Sequence, residues 1–143
     1  MRALTVRQPY ADAIVWGGKT TENRIRPLSA FHLGTRILIH AAKAPHASNV
    51  TAADLGLEHA PDVRGAIIGT GILDSCHQSS ADGCCSPWGM MSFWHWTLRD
   101  VQPLPQPVAV NGHLGLWTLP EAALRDVWDQ LLERTDVKAS SSG

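Results

Sequence analysis

Two adjacent glycines, Gly17 and Gly18, stop an apolar run after barely two helical turns, and that stop constrains the chain more than any other feature. The run before them, Tyr10 to Trp16, is compact, with Tyr10, Ala13, Ile14 and Gly17 on one side at helical spacing. Pro9 suits the first turn of such a helix, where its missing N–H costs nothing. The glycine pair is expected to close the helix in a left-handed cap, and the β-favouring Thr20 and Thr21 then start an extended segment. The stretch Gly17-Gly18-Lys19-Thr20-Thr21-Glu22-Asn23-Arg24 therefore delivers a cation, a carboxylate and a second cation straight out of a turn. Strand alternation puts Thr20, Glu22 and Arg24 on one face and Lys19, Thr21 and Asn23 on the other.

At 143 residues the chain is the size of one domain with a single core. A formal net charge of -1 gives no global positive field, so any phosphate binding must be local. Three cysteines, Cys76, Cys84 and Cys85, form an odd set, and Met1 leads directly into a strand-like run without a signal pattern. The expectation is a reduced, cytoplasmic protein. No apolar run approaches the roughly 18 to 20 residues that span a bilayer, so no membrane partner is expected.

Along the chain, Ala3 to Arg7 reads as a first strand, and Gly34 to Lys43 as a strand apolar on both faces. Ser48 to Leu57 carries a candidate short helix with Ser48 as N-cap. Gly65 to Cys76 is a further strand in which Gly69 and Gly71 leave space on one face for a backbone, a side chain or a ligand. His77 to Pro87 has loop composition, and Met91 to Leu98 alternates with aromatic weight as strands do. Pro103, Pro105 and Pro107 force an extended connection to a last strand, Leu114 to Leu119. Pro120 and Glu121 open a helix whose apolar positions are Leu124, Val127, Trp128 and Leu131. Ile37, Ile39, Ile67, Trp117 and Trp128 are expected in the core. The order of elements is that of an α+β or small-barrel domain and lacks the alternation of a doubly wound sheet. One domain over residues 1–135 is expected, followed by a disordered Ser-rich tail over 136–143.

Gly17, Lys19, Glu22 and Arg24 fit a G-x-K-x-x-E-x-R signature that follows Arg7-Gln8-Pro9-Tyr10. Ile39-His40-Ala41-Ala42-Lys43, Gly65-Ala66-Ile67-Ile68-Gly69 leading to Asp74-Ser75-Cys76, and Arg99 through Gly112-His113-Leu114-Gly115-Leu116-Trp117 come in the same order as in one family. From about Ala3 to Pro120 the chain resembles the ASCH domain family, relatives of the PUA domain. The resemblance implies a PUA-like β-barrel of about five to six strands flanked by short α-helices, with a cleft at the signature that binds RNA or nucleotide-like ligands. It departs from the relatives that hydrolyse N4-acylated cytidines. Those carry threonine three residues after the signature lysine and a glutamate on a later strand, whereas here that position is Glu22 and the strand Gly69-Thr70-Gly71-Ile72-Leu73 offers no glutamate.

The candidate ligand contacts are Arg7, Gln8, Tyr10, Lys19, Glu22, Arg24, His40 and Lys43. Arg7, Gln8 and Tyr10 sit where a strand gives way to a helix N-terminus, a place suited to anions but equally to turn structure. Lys19 is a candidate general base if a cleft desolvates it, with Glu22 orienting it or pairing with Arg24. A lone His40 in an apolar run is more often a satisfied core residue than a ligand contact. Six tryptophans offer stacking surfaces for unpaired bases, though most are expected to fill the core. Cys76, His77, Cys84 and Cys85 are poorly arranged for one tetrahedral zinc, so no metal or other cofactor is expected. Three functions fit: a monomeric module that binds single-stranded RNA or a small nucleotide-like ligand, a hydrolase of RNA or an N4-acylated cytidine with Lys19 as base, and a protein-interaction domain. Binding is preferred on the Glu22 and missing-glutamate departures.

Overall fold

The computed structural model of the protein describes residues 1–78 and 93–141, with side chains to residue 133. Six strands and two helices are built in the order β1 (Arg2–Val6), α1 (Tyr10–Trp16), β2 (Thr21–Arg24), β3 (Arg36–Ala41), β4 (Ala66–Gln78), β5 (Trp94–Ala109), β6 (Leu116–Thr118) and α2 (Glu121–Ser141). The sheet order is β2-β5-β4-β3-β1-β6, and of its five strand pairs only β3 with β1 is parallel. The sheet curls into a half-barrel. Arg24, on edge strand β2, donates from Nη2 to the backbone carbonyl of Thr5 on β1 at 2.8 Å, although three strands lie between them in the sheet.

Each face of the sheet carries its own core. Leu4, Val6, Ile37, Ile39, Leu73, Trp96 and Leu98 pack with Ile14 and Val15 of α1. Ala3, Leu38, Ile67, Leu104, Val108 and Trp117 pack with Ala123 and Val127 of α2. β3 contributes to both, which is why its sequence is apolar without alternation. Gly69 has no room for a ligand: a Cβ there would lie 2.8 Å from the Gln102 carbonyl oxygen and 2.9 Å from the Val15 side chain. The space is filled by the β5 backbone and by α1.

Three expectations are corrected. Residues 48–57 form turns and no helix. Thr51 and Asp54 cap each other, with Thr51 N–H donating to Asp54 Oδ2 at 2.9 Å and Asp54 N–H to Thr51 Oγ1 at 3.1 Å, but Gly56 takes φ +70° and ends the structure after one turn. Pro103, Pro105 and Pro107 belong to β5 itself and not to a connection. β2 ends opposite that strand at Thr97, so beyond Leu98 β5 is paired on one side only, where a missing N–H is tolerated. Trp128 is 44% exposed. The buried line of α2 runs through Ala123 and Val127, and one residue of helical rotation, about 100°, carries Trp128 off it. The backbone of α2 continues to Ser141, through residues that sequence composition reads as tail.

Candidate functional site

The turn after α1 explains how the signature is presented. Gly18 adopts φ +73°, and the Lys19 N–H donates back to the Ala13 carbonyl at 2.9 Å, so the chain doubles back over the end of the helix. Lys19 precedes β2 and is free of its alternation. The placement of Lys19 and Glu22 on opposite strand faces is therefore overturned, while the contact between them agrees with the orienting role considered for Glu22: Lys19 Nζ donates to the Thr21 carbonyl and, at 3.2 Å, to Glu22 Oε2. The Lys19 side chain is only 4% exposed and its Nζ lies 5.6 Å from the centroid of the Tyr10 ring. Glu22 is held from its other oxygen by Arg24, whose Nε lies 3.4 Å from Oε1. That approach is an ion pair without hydrogen-bond geometry, and the buried Arg24 Nε–H finds no acceptor among the described residues.

These residues line a cleft of about 1300 Å³ at the C-terminal ends of the parallel strands β1 and β3. Arg7, Tyr10, Lys19, Glu22, Arg24, His40 and Lys43 all border it. Gln8 does not. Its side chain is 1% exposed and bonded inward, Nε2 donating to the Val63 carbonyl at 2.9 Å and Oε1 accepting from the Asp12 N–H at 3.0 Å. Asp12 continues this staple by accepting from the Asp62 N–H at 2.9 Å, and burial raises its carboxyl pKa above the ordinary value despite that bond. Gln8 thus fixes the loop after β3 against α1, a structural role.

A polar chain borders the cleft, and of its members only His40 is a sequence candidate. Trp117 Nε1 donates to Thr5 Oγ1 at 2.9 Å, Thr5 Oγ1 lies 3.2 Å from His40 Nδ1, and His40 Nε2 lies 2.7 Å from the Val110 carbonyl oxygen. A carbonyl only accepts, so Nε2 carries the proton. Burial lowers the His40 pKa, the Val110 bond opposes that, and the charges of His113 and Lys43 add to the lowering. Gly112 lies directly over the pair: a Cβ there would be 2.7 Å from His40 Cε1 and 2.8 Å from Thr5 Oγ1. Lys43 Nζ donates to Asn111 Oδ1 at 2.7 Å on the rim. Thr5, Asn111, Gly112 and His113 carry no sequence signal of a site role beyond the Gly112-His113 motif.

Aromatic lining comes from Tyr10 and Phe93, with His46 packed edge-on to Tyr10 at 4.9 Å between centroids. No described tryptophan lines the cleft; Trp96 and Trp117 are core residues, and Trp16 packs on His59. Among the described residues no group of three or more His, Cys, Asp and Glu is placed to hold a metal ion, and Cys84 and Cys85 lie outside those residues. No helix among the described residues is long and apolar enough to cross a membrane.

The curled six-stranded sheet with two helices is the architecture of a PUA-like α+β domain. Comparison with solved structures makes this specific. The crystal structure of ASCH from Zymomonas mobilis is 21% identical in sequence, with a TM-score of 0.58 over 90% of this chain and 93% of that one. Two mutant forms of the Zymomonas mobilis protein give TM-scores of 0.59 and 0.56, again at 21% identity and 90% of this chain, covering 96% and 94% of theirs. No family model matches the chain, and no curated protein matches it. The protein has the ASCH-domain fold.

Proposed function

We propose that the cleft binds single-stranded RNA or a nucleotide-like ligand through its phosphate, with Tyr10 or Phe93 available to stack on a base. The observation that carries this reading is the local charge. Arg7, Lys19, Arg24 and Lys43 line the cleft against Glu22 as the one carboxylate among its described lining residues, in a chain whose formal net charge is -1. A concave wall with an excess of positive charge focuses its field on an anion. Glu22, anchored by Lys19 and Arg24, supplies an acceptor suited to an exocyclic amine. Lys19 is read here as the anchor of that carboxylate and not as a base, since its Nζ already donates to Thr21 and Glu22.

The test is a titration of fluorescent short single-stranded RNA and of cytidine monophosphate at several salt concentrations. Affinity should fall with salt at roughly 0.7 logarithmic units per phosphate contact. Lys43→Ala and Arg7→Ala should each lessen that slope by about one contact, and Lys19→Ala should weaken binding by releasing Glu22. Salt-independent binding, or full binding by all three variants, would remove the cleft from this role.

A further inference from the structure

The chain Trp117–Thr5–His40–Val110 is more than the binding reading needs, and its order is that of an activated nucleophile. A nucleophile hydroxyl, a base in hydrogen-bond reach of it and a third group orienting the base form the general pattern of covalent catalysis. Thr5 Oγ1 lies 3.2 Å from His40 Nδ1, and the Val110 carbonyl at 2.7 Å from Nε2 holds the tautomer in which Nδ1 is the acceptor. Trp117 Nε1 donates to the same Thr5 oxygen at 2.9 Å, which occupies a lone pair and directs the hydroxyl proton toward His40. One lone pair of Oγ1 is left by this arrangement. Thr5 is half-buried and lines the cleft, whereas His40 is 1% exposed and shielded. The lowered His40 pKa agrees with a neutral imidazole. Arg24 donates from Nη2 to the Thr5 backbone carbonyl at 2.8 Å, which fixes the strand end that carries the hydroxyl.

We propose that Thr5 is a catalytic nucleophile and His40 its general base, acting on acyl esters whose alcohol portion carries a phosphate. Thr5 Oγ attacks the ester carbonyl carbon while His40 Nδ1 takes the hydroxyl proton. The carbon–oxygen bond to the alcohol then breaks, and His40 returns the proton to the leaving oxygen, which leaves an acyl-Thr5 ester. Water attacks that ester with His40 as base, its proton passes through Nδ1 to Thr5 Oγ, and the free carboxylic acid departs. The phosphate in this substrate class rests on the anionic-ligand reading of the cleft; the Thr5 chemistry does not.

The two parts are separable by experiment. p-Nitrophenyl acetate carries no phosphate and tests Thr5 alone. With the full chain we expect a burst of p-nitrophenol, and an acetyl group on Thr5 by peptide mapping of acid-quenched protein. Thr5→Ser should retain the adduct, Thr5→Val should abolish it, and His40→Gln should slow acylation by about 10² to 10⁴. Mapping of the unmodified protein decides the case even if Thr5→Val does not fold: no adduct, or acetyl on lysines alone, overturns the proposal. Equal acylation of Thr5 in folded His40→Gln protein would overturn the role of His40. Cytidine monophosphate should inhibit the esterase reaction competitively; a Thr5 adduct with no such inhibition would overturn the phosphate requirement while leaving the nucleophile standing.

Discussion

His40 shows how one buried side chain ties the site to pH. Its folded pKa lies below the ordinary 6.5, so the unfolded chain binds the proton more readily. The stabilisation it contributes is complete above about 6.5 and is lost as pH falls through the folded value. Protonation would place a proton on Nδ1 against the Thr5 hydroxyl, with the Lys43 and His113 charges nearby and the Val110 carbonyl as the one group favouring it. We expect the urea midpoint to fall on acidification from pH 7 to pH 5, and His40→Gln to flatten that dependence. Asp12 has the opposite sign. Its folded pKa is raised above 3.8, chiefly by burial, so its contribution is present below 3.8 and lost as pH rises through the folded value. Asp12→Asn keeps an oxygen for the Asp62 N–H and removes the buried charge. It should raise the urea midpoint at pH 7, with the gain fading below pH 4; a lowered midpoint at pH 7 would count against this account.

Among the elements, α2 separates apolar pattern from burial. Val127 is fully buried and Trp128 is 44% exposed, though both fall on the apolar positions of the sequence. Val127→Ala should cost about 2 kcal/mol through lost burial and a cavity. Trp128→Ala should cost less despite the larger side chain, as compared by denaturation of the two variants. β5 makes a related point about proline. Three prolines in five residues read as a break in structure, yet a strand with one free edge accommodates them, and only the neighbour on the other side decides whether an N–H is required.

At the scale of the whole molecule, the curl of the sheet assembles the cleft. β2 and β1 are distant in strand order, but Arg24 spans them by pairing with Glu22 and donating to the Thr5 carbonyl. The planar guanidinium meets the two partners with two separate nitrogens, Nη2 and Nε, a spread that the single nitrogen of a lysine does not offer. Arg24→Lys should therefore cost about 1 to 3 kcal/mol in urea denaturation and weaken anion binding although the charge is kept. Unchanged stability in this variant would show that the contact does not hold the half-barrel closed.

The sequence by itself determined the α+β class, the short first helix, the doubly apolar β3 and the place of the signature residues beside the first helix, because these follow from glycine stops, periodicity and motif order within a few residues. Lys19, Glu22 and Arg24 were legible for that reason, as neighbours in one stretch. Only the tertiary structure decided that Lys19 joins Glu22, that Gln8 turns inward and that Thr5 meets His40. The last of these is a register pair between β1 and β3, thirty-five residues apart, capped by Gly112 and bonded to Trp117 from still further along. Local pattern fixes which residues face together within an element; the pairing of distant strands fixes which elements meet, and hydrogen-bond chemistry between them appears only then.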